Sequence, residues 1–157
     1  MSGIIGGAGS KSGVIGETTL PNIWVVVAAN NEQNWNSANT KLPIDTIQDG
    51  SNMGKAAYDT SAYQFVAPLD GVYFTIFSGI MADNHETNKY MQLRRSGTVM
   101  TNLYSSNAAS THMNVAKHYS VAMTAGQNLD WYNKTMNLYL GVHYCNWSIH
   151  YLGRNFG

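Results

Sequence analysis

Five histidines, one cysteine and nine carboxylates are the residues of this 157-residue chain with which metal or acid–base chemistry could be done. His143 and Cys145 stand two apart, a spacing that puts both side chains on one side of a strand, and His150 follows closely. Together they trace a three-ligand transition-metal site. The same residues equally make a packed strand face or a subunit contact, which asks for no fourth ligand, and that is the reading adopted. His112 and His118 stand at even spacing on one expected strand, where a cluster around a threefold axis would make assembly sensitive to pH.

The carboxylates are scattered. Asp45, Asp49, Asp59, Asp70 and Asp83 fall in separate loops, with no tight Asp-x-Asp run of the kind a calcium loop needs. Serines are abundant, but no Gly-x-Ser-x-Gly elbow occurs. A glycosidase would need two carboxylates facing one another, which spacing alone does not indicate. We therefore expect no catalytic residue, no metal and no cofactor.

The elements that would position any site are those of one domain. At 17.2 kDa the chain is long enough to bury a sizeable core. Nine basic residues balance nine acidic ones, and charged residues make up 11% against about 25% in soluble domains. A nucleic-acid partner is therefore not expected. Low charge with many Asn, Ser, Thr and Tyr indicates surface that is covered by other chains. The single cysteine excludes an internal disulfide framework. No signal peptide and no apolar run of about 18 residues is read, so neither secretion nor a membrane partner is expected. The sequons at Asn133 and Asn146 are accordingly read as chance matches.

Residues 1–20 differ from the rest. They are rich in Gly, Ser, Ile and Val, lack aromatic residues, and carry an echo, Gly3-Ile4-Ile5-Gly6 and Gly13-Val14-Ile15-Gly16. Two apolar pairs separated by a spacer containing Lys11 form an arm that cannot bury itself and orders on another surface. Ile4, Ile5, Lys11, Val14 and Ile15 are its expected anchoring residues. A phosphate loop is rejected because Ser10 stands before the lysine where the motif requires Gly, and Ser2 excludes myristoylation.

Residues 21–157 read as β throughout, with β-branched and aromatic runs bounded by Gly, Asn, Asp and Ser. Strands are expected at 23–28, 63–67, 72–78, 90–94, 98–104, 112–124, 137–144 and 149–152. Residues 30–45 read as a long loop or short edge strand. The 63–67 strand stops at Pro68, and Leu69-Asp70-Gly71 turns it into the next as a hairpin or corner. The sum is an antiparallel jelly-roll sandwich of about ten strands, since helices for parallel crossovers are missing. In the strand patterns Trp24, Phe65, Tyr73, Phe74, Trp147, Ile149 and Tyr151 are core or subunit-contact residues. Trp35, Tyr104, Trp131 and Tyr132 sit in or beside polar turns and are the candidates for an exposed contact.

The block Tyr58–Ser78 resembles the signature of the complement globular-head family within the tumour-necrosis-factor-like superfamily. Tyr58 and Asp59, Phe65, Pro68, Gly71, Tyr73 and Phe74 stand in that signature's order. Met91–Gly97, Val121–Gln127 and Asn146–Gly153 resemble its later strands, although Gln127 stands where Asp is usual and Trp147 and Ile149 depart from its Phe and Gly. The resemblance implies a ten-stranded jelly roll that assembles as a homotrimer, works by binding and has no catalytic residues. The collagen repeat of many secreted members is missing. Residues 9–17 are instead similar to short amino-terminal segments of virion proteins from marine tailed bacteriophages. The expected protein is thus a non-enzymatic phage structural protein, located in the virion. Residues 1–20 would hold it to another virion protein, and its trimeric head would meet a host glycan or protein. A capsid cement protein and a free secreted complement-like binding module are the alternatives.

Overall fold

A computed structural model describes residues 21–82, 89–105 and 113–154. The arm residues Ile4, Ile5, Lys11, Val14 and Ile15 lie outside these, as do Asp83 and His112. The described chain is an all-β sandwich of two antiparallel sheets, with one short helix.

The first sheet contains β1 (Trp24–Ala28), β2 (Asn34–Trp35), β4 (Thr46–Gly50), β7 (Gly71–Met81), β10 (Asn114–Met123), β12 (Leu138–Tyr139) and β13 (Asn146–Gly153). β7, eleven residues long, is its spine. β10 pairs along one edge of it, while β13 and then β12 pair along the other. β1 lies between β13 and β4, an interior position that explains its continuous apolar run. The second sheet contains β3 (Thr40–Lys41), β5 (Tyr58–Asp59), β6 (Gln64–Val66), β8 (Tyr90–Arg95), β9 (Thr98–Tyr104) and β11 (Asn128–Asn133). The Leu69–Gly71 turn is therefore a corner between sheets, β6 belonging to one and β7 to the other.

Alternation along the strands fills the space between the sheets. Tyr73, Thr75, Phe77 and Met81 of β7, Val25 and Val27 of β1, and Trp147 and Ile149 of β13 point inward and are buried. Facing them are Phe65, Met91, Leu93, Leu129 and Trp131. Ring contacts join the layers: Phe65 with Tyr73 at 5.4 Å, Phe77 with Trp131 at 5.0 Å, and Tyr58 with Trp147 at 6.1 Å between centroids. Edge-on and tilted pairs of this kind add to area burial.

Two expectations about elements are corrected. The alternating residues 137–144 form only the two-residue β12, because a turn follows in which the N–H groups of Tyr144 and Cys145 both donate to the Gly141 carbonyl. Trp131 and Tyr132, read as lying in or beside polar turns, belong to β11 in the middle of the second sheet. The helix α1 (Asn52–Ala56) was not expected either; Ser51 caps it, its Oγ accepting from the Gly54 N–H at 3.0 Å. Glycine is required at position 54, since a Cβ there would lie 1.9 Å from the Trp24 carbonyl oxygen.

Candidate functional site

The outward face of the first sheet is built by the residues that alternate with the core. In register across four strands lie Trp24 (β1), His150 (β13), Phe74 (β7) and Ser120 (β10); the next row is Val26, Ser148, Ile76 and His118. No Asp, Glu, Lys or Arg occupies these eight positions. The Trp24 and His150 rings stack with centroids 6.3 Å apart and planes 6° from parallel, and Phe74 lies 6.3 Å from His118. Ile76, in the middle, is 42% exposed. An uncharged stripe with an exposed isoleucine at its centre has the character of a subunit contact.

The core-or-contact residues from the sequence thus divide. Phe65, Tyr73, Trp147 and Ile149 are core. Trp24 and Phe74 are half-buried on the outward face. Tyr151 is half-buried against Tyr73, with ring centroids 5.2 Å apart, and its hydroxyl donates to the Asp70 carbonyl at 3.1 Å.

The outward face of the second sheet is different. Tyr132 (β11), Gln92 (β8) and Asn102 (β9) stand in one row, and Tyr90 pairs with Tyr104 beyond them. Tyr104 is 58% exposed, lies 5.6 Å from Tyr90 and accepts from Asn102 Nδ2 at 3.0 Å. Tyr132 is half-buried, with the Arg94 guanidinium 3.5 Å from its ring centre and the Lys134 ammonium 5.2 Å away. Of the four exposed-contact candidates, Tyr104 and Tyr132 share this face. Trp35 is half-buried on β2, in the other sheet. Trp131 is corrected: it is only 1% exposed and packs on Phe77, because it points inward from β11.

Asp130 beside it explains why β11 escaped notice. It is a buried carboxylate in mid-strand, held by Arg94 Nε and Nη2 at 2.9 and 2.8 Å and by Lys41 Nζ at 3.6 Å. A charge survives there only with partners. The sequence signal that would have revealed it is the pair of basic residues on the strands flanking β11.

The titratable groups that burial perturbs are pushed toward their neutral forms. Desolvation raises the Cys145 thiol to about 12 and the Tyr73 phenol to about 12, and lifts the Tyr58 phenol well beyond the ordinary tyrosine range. Tyr58 donates to the Ile44 carbonyl at 2.8 Å, which fixes it in a structural role. Asp59 moves the other way, held below the usual carboxylate range by the Ser61 hydroxyl and the N–H groups of Ala62 and Ser61. His143 is exposed in the turn whereas Cys145 is fully buried, so the two do not share a strand face. Among the described residues no three of His, Cys, Asp and Glu converge to hold a metal ion. Asn133 is buried, its amide donating to the carbonyls of Ser37 and Met136, which leaves it no room for a glycan.

No protein-family model matches the chain, and no curated protein matches it in sequence. Solved structures do match in fold. The globular domain of zebrafish complement 1qA protein superposes with a TM-score of 0.67 at 13% identity, covering 85% of this chain and 99% of its own. Eiger, a TNF from S. frugiperda, gives 0.66 at 12% identity, covering 87% and 96%, and murine APRIL gives 0.61 at 9%, covering 82% and 98%. The sandwich that the described residues form is therefore a jelly roll of the complement-head and tumour-necrosis-factor kind.

Proposed function

We propose that this chain is a non-enzymatic structural protein of a bacteriophage virion, with residues 1–20 bound to another virion protein and residues 21–157 forming a homotrimeric binding head. The observation that carries the self-association is the uncharged double row on the first sheet, centred on Phe74 and Ile76, which a second copy covers without burying a formal charge. The jelly-roll fold supports a head that binds rather than catalyses. The virion setting rests on the likeness of residues 9–17 to amino-terminal segments of phage virion proteins.

With the first sheet turned inward, the second is left outward. Its Tyr90, Tyr104 and Tyr132 stand among the amides of Gln92 and Asn102, and flat rings beside amides are suited to a host glycan or protein. Three such weak sites on one rigid head, repeated over a particle, gain by multivalency what each lacks singly.

The test is the absolute mass of the full chain by light scattering. A mass near three times 17.2 kDa is expected. Ile76→Lys should lower it to that of a single chain while the circular dichroism spectrum stays unchanged, because the side chain is already exposed. A monomeric parent chain, or a trimer indifferent to Ile76→Lys, overturns this reading of the surface.

A further inference from the structure

Two arginines, Arg95 and Arg154, meet no carboxylate among the described residues. Lys41 and Arg94 share Asp130, and Lys55 is paired with Asp49. Asp59 is used by its own turn, and Asp45 accepts from the Asn30 N–H. Arg95, at the end of β8, donates Nη1 to the Ala122 carbonyl, and no carboxylate meets its remaining donors among the described residues. Arg154, just beyond β13, is exposed and makes no hydrogen bond or ion pair among them.

Both line one cleft of about 680 Å³. It lies at one end of the sandwich, between the corner at Leu69–Gly71 and the turn from β10 into β11. Its one acid among the described residues, Asp70, already has Oδ1 occupied by the Ala125 N–H at 2.7 Å. Two guanidiniums against this one carboxylate leave a single net positive charge. Gln127 uses Oε1 to accept from the Thr124 N–H at 3.0 Å, which leaves its amide nitrogen as a further donor. Met123 and Leu69 supply apolar wall.

We infer that this cleft binds a hydroxylated monocarboxylate of the sugar-acid class. A planar carboxylate matches the guanidinium fork, and one negative charge matches the net charge of the site, which a phosphate dianion would exceed. The Gln127 amide and the free Asp70 oxygen suit hydroxyls, and the apolar wall suits the C–H face of a sugar ring. The cleft lies within the usual size range of small-ligand sites, roughly 300–1,000 Å³. This inference is independent of the virion reading.

The experiment is a titration of the isotopically labelled full chain with sodium glucuronate, followed by the amide signals of Gly71, Ala125 and Gln127. Saturable shifts are expected at these amides, with a Kd on the order of millimolar. Arg154→Gln should weaken binding about tenfold, and Arg154→Lys, which keeps the charge and loses the fork, should weaken it less. Because Arg154 makes no hydrogen bond or ion pair among the described residues, signals away from the cleft should stay in place. Glucose should give no saturable shift, and inorganic phosphate should bind more weakly than glucuronate. Absence of saturation, equal shifts with glucose, tighter binding of phosphate, or indifference to Arg154→Gln each overturn the assignment.

Discussion

The ring of Phe77 in β7 lies 5.0 Å from that of Trp131 in β11, centroid to centroid, and this contact joins the middle of one sheet to the middle of the other. Phe77 is flanked in register by Trp147 of β13 and Lys117 of β10, and Trp131 by Leu93 of β8. Both rings are buried, and together they fill the centre of the sandwich.

Trp131→Ala is expected to cost about 3–5 kcal/mol, since the strands on either side are paired along their length and leave little room to collapse into the gap. Trp131→Phe should cost much less, because the buried indole N–H finds no partner among the described residues and its removal relieves a desolvated donor. Urea denaturation of both variants checks this. A loss below about 1 kcal/mol for Trp131→Ala would contradict the central role given to the contact.

How far the fold was legible depends on where polarity entered the strands. β7 carries apolar residues on both faces, with the polar Thr75 pointing inward, whereas β13 alternates cleanly and its inward and outward residues could be assigned from the sequence. β11 could not, because Asp130 breaks its apolar run and its neutralising partners are distant in sequence, Lys41 on β3 and Arg94 on β8. Residues 137–144 failed in the opposite sense: Leu138, Leu140, Val142 and Tyr144 alternate, yet the Gly141 turn reverses the chain, and Cys145 enters the core from a turn. Leu138 and Leu140 are buried as the alternation indicates, but past the turn Val142 and Tyr144 are only half-buried. The outward row of Trp24, His150 and Phe74 required pairing across three strands, which no local pattern carries.

Thr75 sits buried in mid-strand, where it accepts one hydrogen bond. The Trp147 indole N–H donates to its Oγ1 across the β7–β13 pair. Thr75→Val keeps the shape and orphans that donor, so a loss of about 1–3 kcal/mol is expected. Thr75→Ser keeps the acceptor and should retain most of the stability lost by Thr75→Val. Equal losses in the two variants, compared by thermal and urea unfolding, would assign the effect to packing alone.

Cys145 sets an alkaline limit. Its folded-state pKa is raised from 9.0 to about 12 by burial, so above pH 9 the unfolded chain releases a proton that the folded chain keeps. Fewer protons on the unfolded state make stability fall as pH rises. The contribution is whole below pH 9 and is lost progressively as pH climbs toward 12. Cys145→Ala should therefore flatten the decline between these limits, the tyrosines at 58 and 73 supplying what remains. The folded protein should also resist thiol reagents at pH 8 until denaturant is added. Rapid labelling of the native chain would show that the thiol is accessible and remove the basis of the pH dependence.

The proposed arm can be separated from the head because the sandwich begins at Ile23. That residue is 3% exposed, and its carbonyl accepts from the Tyr151 N–H at 2.9 Å, the start of the β1–β13 pairing. Deleting residues 1–18 removes none of the described contacts of the head. The truncated chain is therefore expected to keep its number of copies per assembly and its unfolding midpoint, and to be lost from purified particles when it replaces the full chain during assembly. Ordering two apolar pairs, Ile4-Ile5 and Val14-Ile15, onto a partner surface buries roughly 2 kcal/mol worth of apolar area per side chain before the entropy of ordering is subtracted. Replacing only one pair by Ser should then give partial incorporation, measured as band intensity relative to a capsid standard. Full incorporation of the truncated chain would show that the head itself, and not residues 1–20, holds the protein to the particle.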